Sequence, residues 1–173
     1  MLYDRSYIEK FIARFVHPVR PELDSPLLNV FDALVSGSAI SSQTLPMLVD
    51  AASDRRANVY EISTEFLGEL AERDVNALEM IRNMLTSKHA HVRHNAILCL
   101  SSGIDSNISA EIIREGLGDK SSFVRRKAAD WAHRLLLRDV SSDLSKALEA
   151  ESNAETSDVM RDALKAIQGR KMQ

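Results

Sequence analysis

Cysteine is nearly absent from this chain of 173 residues. Its single representative, Cys99, excludes an intramolecular disulfide and a cysteine-rich zinc site. Tryptophan likewise occurs once, at Trp131, and aromatic residues make up only 5% of the whole. No apolar run approaches the roughly 18 residues that a membrane span needs. The opening MLYDRSYIEK carries acids where a secretory signal needs a basic and then an apolar stretch, so the expected location is the cytoplasm. Six glycines and four prolines are too few for a collagen-like or linker-rich chain. Also missing are a GxSxG elbow, a GxxxxGK[ST] phosphate loop, an HExxH pair and a dinucleotide fingerprint. The expectation is a non-enzyme without cofactor or metal. What remains, 45% hydrophobic and 27% charged residues, is the composition of a chain that buries a core.

What the chain does have is recurrence. Val59, Ser63 and Leu67 are followed by Val92, Ala96 and Leu100, then by Val124, Ala128 and Ala132, and then by Val159, Ala163 and Ile167. The leading valines lie 33, 32 and 35 residues apart, a period that signifies stacked supersecondary units. On a helix, positions i, i+4 and i+8 share a face, and a small middle residue lets a neighbouring helix approach closely. About 20 residues after each of the first three valines comes a second apolar set: Leu78, Ile81 and Leu85; Ile112, Ile113 and Leu117; Leu144, Ala147 and Leu148. Each unit is thus a pair of helices. Breaks fall at Arg73-Asp74, Gly103 to Asn107 and Asp139 within units, and at Thr86 to His89, Gly118 to Ser121 and Glu151 to Asn153 between them.

Upstream, Tyr7, Ile8, Phe11, Ile12, Phe15 and Val16 form one helical stripe that would close the end of the stack, with Pro18 and Pro21 stopping it. Ser25-Pro26 reads as N-cap and first helical residue, Leu27 to Val35 as an amphipathic helix, Gly37 as its stop and Leu45 to Val49 as the partner helix. The expected fold is all-α: one right-handed α-solenoid domain over 1–173, of about five antiparallel helix pairs, with capping helices over 1–51 and clear repeats over 52–169.

The segments Ser87 to Asn95 (SKHAHVRHN) and Asp119 to Ala128 (DKSSFVRRKA) each join a polar turn to Val-Arg with a small residue three positions on. This resembles the first helix of HEAT and HEAT-like repeats, armadillo-type α-solenoid units, over roughly positions 52 to 169. The resemblance implies that Arg93 and Arg125 are structural, pairing with turn carboxylates such as Asp119. It departs from the family at Val59-Tyr60 and Val159-Met160, where no arginine follows the valine. It also implies a surface for binding other proteins rather than a chemistry of its own.

The net charge is −3, yet residues 1–86 carry 8 basic and 13 acidic side chains (−5) and residues 87–173 carry 14 and 12 (+2). Glu61, Glu65, Glu69 and Glu72 run along one helix face. Like charges at i, i+4 oppose helix formation by a few tenths of a kcal/mol, so helix stability does not explain them. They are either a solvated face or a docking strip for a partner protein with a basic surface. An adaptor and an immunity protein that neutralises a cationic bacterial toxin both suit such a strip.

The opposite cluster is Lys120, Arg125, Arg126, Lys127, Arg134 and Arg138, with only Asp130 against it. It is a secondary basic patch of the kind that contacts phosphates. Phe123-Val124-Arg125-Arg126 resembles the basic repeat helices of HEAT-like alkylpurine DNA glycosylases. Those enzymes, however, are basic and present several tryptophans and a catalytic aspartate, so nucleic acid ranks below a protein partner. A third candidate face lies on the second helices, around Glu79, Arg82, Arg114 and Lys146. His89, His91 and His94 could offer imidazoles to zinc or nickel, but without a nearby carboxylate or thiolate they read as solvent-facing residues of a helix start. Cys99 and Trp131 share the buried register of Phe66 and are expected in the core, and Gly68 is placed for close helix packing.

Overall fold

The computed structural model describes residues 4–169. Among them ten α-helices follow one another with no strand. They are α1 (Arg5–Phe11), α2 (Asp24–Ser36), α3 (Thr44–Ala52), α4 (Ala57–Ala71), α5 (Val75–Leu85), α6 (Ala90–Leu98), α7 (Ser106–Leu117), α8 (Ser122–Arg134), α9 (Ser141–Ala150) and α10 (Ala154–Gly169). Neighbours in the chain pack together as α3 with α4, α5 with α6, α7 with α8 and α9 with α10. With α1 and α2 these make five pairs of an α-solenoid. Pairs then stack in two rows: α4, α6, α8 and α10 in one, α5, α7 and α9 in the other. The first row is the closer packed, with α8 lying broadly against both α6 and α10.

The recurring small residues are what bring that row together. Ser63, Ala96, Ala128 and Ala163 are all fully buried. The Ser63 hydroxyl is satisfied within its own helix, donating to the Val59 carbonyl at 2.7 Å. Val59 and Val124 lead their units from the core, whereas Val92 and Val159 are only partly buried. The turn preceding α10 lies 32 residues after the one preceding α8, so Val124 is matched by the buried Thr156 and Ala128 by the buried Met160, and the copy expected at Val159, Ala163 and Ile167 is out of register by three residues. One continuous apolar core runs from Ile8 to Ile167.

At the N-terminal end, the helical stripe divides. Ile8, Ile12 and Val16 point into the core, while Tyr7 and Phe15 stay 48% and 39% exposed and stack through Phe11. A terminal helix has a neighbour on one side only, so it cannot bury two adjacent rows. The α-helix ends at Phe11 and continues as a π turn over Ile12–Val16 before Pro18. Ser25 is not the N-cap expected: a 3-10 turn over Pro21–Leu23 leads directly into Asp24, which places Ser25 inside the first turn. Gly37 does end α2, in the left-handed conformation (φ 73°) that glycine adopts without a Cβ penalty. Asp74 and Asp105 cap α5 and α7 by accepting from Asn76 N and Asn107 N at 2.8 and 2.9 Å.

The turns inside these pairs, which the sequence pattern placed between units, repeat to atomic detail. Asp54, Ser87, Asp119 and Glu151 occupy equivalent places, and each side-chain oxygen accepts from the backbone N–H two residues on, at 2.9, 3.2, 2.7 and 2.9 Å. Arg93 clamps the Asp119 carboxylate with two bonds (2.6 and 2.8 Å) and donates a third to the Ser87 carbonyl. One unit later, Arg125 holds Glu151 with two bonds of 2.7 Å and donates to the Asp119 carbonyl. The arginines expected to be structural are so, and planar guanidinium forks suit the task. At the head of the ladder, Asp54 is paired instead by Arg20 and Arg56.

Candidate functional site

The row α4, α6, α8 has unequal members. α4 has 15 residues, α8 has 13 and α6 only 9. The middle helix therefore stops at Leu98 while its neighbours run on, and the close row opens into a trench above α6. Two cavities of about 620 and 520 Å³ lie in it end to end, sharing Glu61 and Leu98 in their linings. The larger lies beyond the end of α6 against Gly68, Ser101, Trp131 and Arg134; the smaller lies nearer the helix starts, against Tyr60, His94, Phe123 and Lys127.

One wall is acidic. Glu61, Glu65, Glu69 and Glu72 all line the larger cavity, so the structure brings the four together on α4 and its C-terminal turn. Glu61 and Glu72 are exposed, while Glu65 and Glu69 are partly withdrawn from water. Burial, with the neighbouring Glu69 charge added, raises the Glu65 carboxyl above the usual range. Glu72 accepts from the Ser101 hydroxyl at 2.7 Å, which ties the end of this wall to the segment after α6.

The other wall, α8, is a mixture. The basic patch read from the sequence does not stand as one surface. Arg125 is consumed by the turn ladder, Arg126 pairs with Glu155, and Lys127 and Arg134 both approach Asp130, at 3.4 and 3.2 Å. Lys120 is exposed in the turn before α8. Trp131 departs from its expected place in the core, being only partly buried. Its indole N–H donates to the carbonyl of Leu100, two residues beyond the end of α6, at 2.9 Å. Lys127 and Arg134 lie over its ring at 4.8 and 4.5 Å from the centroid.

The floor corrects a second expectation. His94 is not solvent-facing but buried at 6% exposure, stacked on Phe123 with ring centroids 4.0 Å apart and planes 12° from parallel. Burial is the main cause of its low pKa, about 4, and the nearby Lys127 and Arg126 charges add to it. The imidazole is thus neutral near pH 7. His89 and His91 stack with each other 5.5 Å apart. Among the described residues no group of three or more His, Cys, Asp or Glu is arranged to hold a metal ion. Cys99 is 1% exposed, its thiol donating to the Asn95 carbonyl and its pKa pushed up by burial. It is the core thiol expected from its register.

Sequence reasoning missed the trench itself and the place of Leu98, which lines both cavities. The one available signal was the i, i+4 pair His94 and Leu98 on a helix too short to show a stripe. On the second-helix face, Arg82 pairs with Glu111 at 2.8 Å and Arg114 with Asp143 at 3.0 Å. That surface is laced internally rather than charged in one sign. No helix among the described residues is long and apolar enough to cross a membrane.

Residues 45–134, from the first turn of α3 to the end of α8, match the family model for HEAT repeats. No curated protein matches the chain.

Proposed function

The chain belongs to the HEAT-repeat family, and from that premise we propose that it is a non-catalytic protein-binding module whose partner docks a basic surface in the trench between α4 and α8. HEAT repeats are generally protein-interaction modules, and stacked helix pairs present extended surfaces of this kind. The observation that carries the reading is the glutamate wall. Four acids of one sign line an open cavity, and one of them, Glu65, is held half out of water beside Glu69. Burial disfavours the Glu65 charge in the free protein, and a cation supplied by a partner relieves it. The basic patch supports nucleic acid less well, because Arg125, Arg126, Lys127 and Arg134 each have a carboxylate of the same chain in reach.

The test compares the protein with its Glu65→Lys/Glu69→Lys double variant in pull-downs from native lysate, followed by affinity measurement on the captured protein. The reversal is expected to weaken binding strongly at low salt and much less at high salt, with association slowed more than dissociation is sped. Arg126→Glu/Lys127→Glu is the control, and abolition of binding by that pair alone, with nucleic acid recovered, would overturn the reading.

A further inference from the structure

The trench runs along α6, and its dimensions, floor and wall each constrain what fills it. Helices in contact lie roughly 8–10 Å apart, so α4 and α8, one on each side of α6, leave a bed about as wide as one more helix, roughly 10 Å with its side chains. Apolar groups line the bed: Leu98 on its floor, and on the α8 side the 42% exposed Phe123 and the Trp131 ring, whose N–H is already given to Leu100. An extended peptide laid on such a floor would turn unpaired backbone N–H and C=O groups towards carbon, whereas a helix satisfies its own. Along the wall, Glu61, Glu65 and Glu69 follow one another at four-residue steps. A second helix alongside rises by the same roughly 1.5 Å per residue, so bases at i, i+4 and i+8 meet the three carboxylates rung for rung.

We propose that the occupant is an amphipathic α-helix of a partner protein, lying lengthwise on α6 with its apolar stripe on Leu98 and Phe123 and with Lys or Arg at four-residue spacing against Glu61, Glu65 and Glu69. This rests on the reading of the trench as the protein-binding face and adds the form of the ligand. The opposite edge of that helix faces Lys127, Asp130 and Arg134, where mixed polar side chains fit better than further bases.

Two fluorescein-labelled synthetic peptides test it. One is a stapled helix carrying a leucine stripe flanked on one side by lysines at i, i+4, i+8 and i+11; the other has the same composition with two central prolines that forbid a helix. Fluorescence anisotropy is read at low and high salt against the protein and its Glu65→Lys/Glu69→Lys, Leu98→Glu and Phe123→Ser variants. The helical peptide is expected to bind at least about tenfold more tightly than its proline counterpart. The glutamate reversal is expected to cost about tenfold at low salt and little at high salt, since those charges are screened. Leu98→Glu and Phe123→Ser are expected to weaken binding several-fold at both salts, and Phe123, being exposed, serves if the half-buried Leu98 variant does not fold. Equal binding of the proline peptide, still lost on glutamate reversal, overturns the helix and leaves the acidic docking face standing. Indifference of both peptides to the reversal overturns both ideas, and so does no binding of either peptide.

Discussion

Gly68 of α4 lies against the backbone of Cys99 at the end of α6: a Cβ built on residue 68 would stand 2.2 Å from the Cys99 carbonyl oxygen. Backbone cannot retreat as a side chain does, so the two helices would have to separate. Gly68→Ala is therefore expected to destabilise by about 1–3 kcal/mol, despite alanine's better helix propensity of about 1 kcal/mol. Gly118→Ala is the control, because its Cβ would meet nothing closer than 3.6 Å at an ordinary φ of −87°. It is expected to be neutral or stabilising by about 0.4–1 kcal/mol. Urea denaturation midpoints for the pair decide the matter, and equal midpoints would refute the close approach.

The turn ladder makes its own prediction. The Glu151 carboxylate is 0% exposed and is bonded twice by Arg125. Removing one partner of a buried pair strands the other, so Glu151→Ala is expected to cost about 2–4 kcal/mol. Arg125 holds Glu151 below the usual carboxylate range; burial pushes Asp119 up, but its bonds from Arg93 and from Ser121 N outweigh this and leave it lowered as well. For acids with lowered pKa, stability is complete above the unfolded value near 4 and is lost as pH falls through the folded one. The Glu151→Ala protein should therefore lose less stability than the parent between pH 4 and pH 2, read by thermal melts.

His94 governs a different pH window. Its folded pKa of about 4 lies below its usual value of 6.5, so the unfolded chain takes up a proton first as pH falls. Stability is whole above pH 6.5 and declines from there towards pH 4, by about 2–4 kcal/mol over the interval. His94→Gln, which cannot protonate, should flatten most of that decline in denaturation midpoints between pH 7 and pH 4.5. A residual slope belongs to His91, whose pKa burial also lowers, with Arg55 adding to it. An unchanged slope in the His94 variant would show that the imidazole takes up its proton as readily in the folded chain as in the unfolded one.

The repeat was legible because Ser63, Ala96 and Ala128 mark the same seam three times, each at the same distance from its turn, and a seam of small residues has one physical meaning; in α10 that place is held by the buried Met160. Arg93 and Arg125 were legible for the same reason: each follows its valine and precedes a turn acid by 26 residues. α6 was harder. In AHVRHNAIL, three consecutive polar residues, Arg93, His94 and Asn95, are all buried. They are tolerated only because Asp119, Phe123 and the Ala52 and Asp54 carbonyls receive them. None of those partners is local in sequence, so periodicity made His94 look solvent-facing. Trp131 failed in the opposite direction. Its register is that of the core, but α6 ends early and leaves its ring lining the cavity beneath Lys127 and Arg134, and a difference in length between helices leaves no trace in the pattern of either one.

Glu65 links stability to the proposed docking. An acid whose folded pKa is raised, here by burial and then by Glu69, binds protons more readily folded than unfolded. Its ionised form opposes folding, so its unfavourable contribution is absent below the unfolded pKa and grows as pH rises through the folded one. Replacing it by the neutral isostere should therefore stabilise the protein at pH 7 and change nothing near pH 3.5. Glu65→Gln is expected to raise the melting temperature at neutral pH by one or two degrees, corresponding to a few tenths of a kcal/mol for an incompletely buried group. Glu72→Gln gives the contrast: its carboxylate accepts from Ser101, so loss of that charge-assisted bond should be neutral or slightly destabilising. A site maintained for binding shows this signature, in which the charge that weakens partner association when removed is the same charge whose removal steadies the free fold. If Glu65→Gln lowers the melting temperature at pH 7 instead, the carboxylate has a stabilising partner within the chain, and the wall owes its charge to the fold rather than to a ligand.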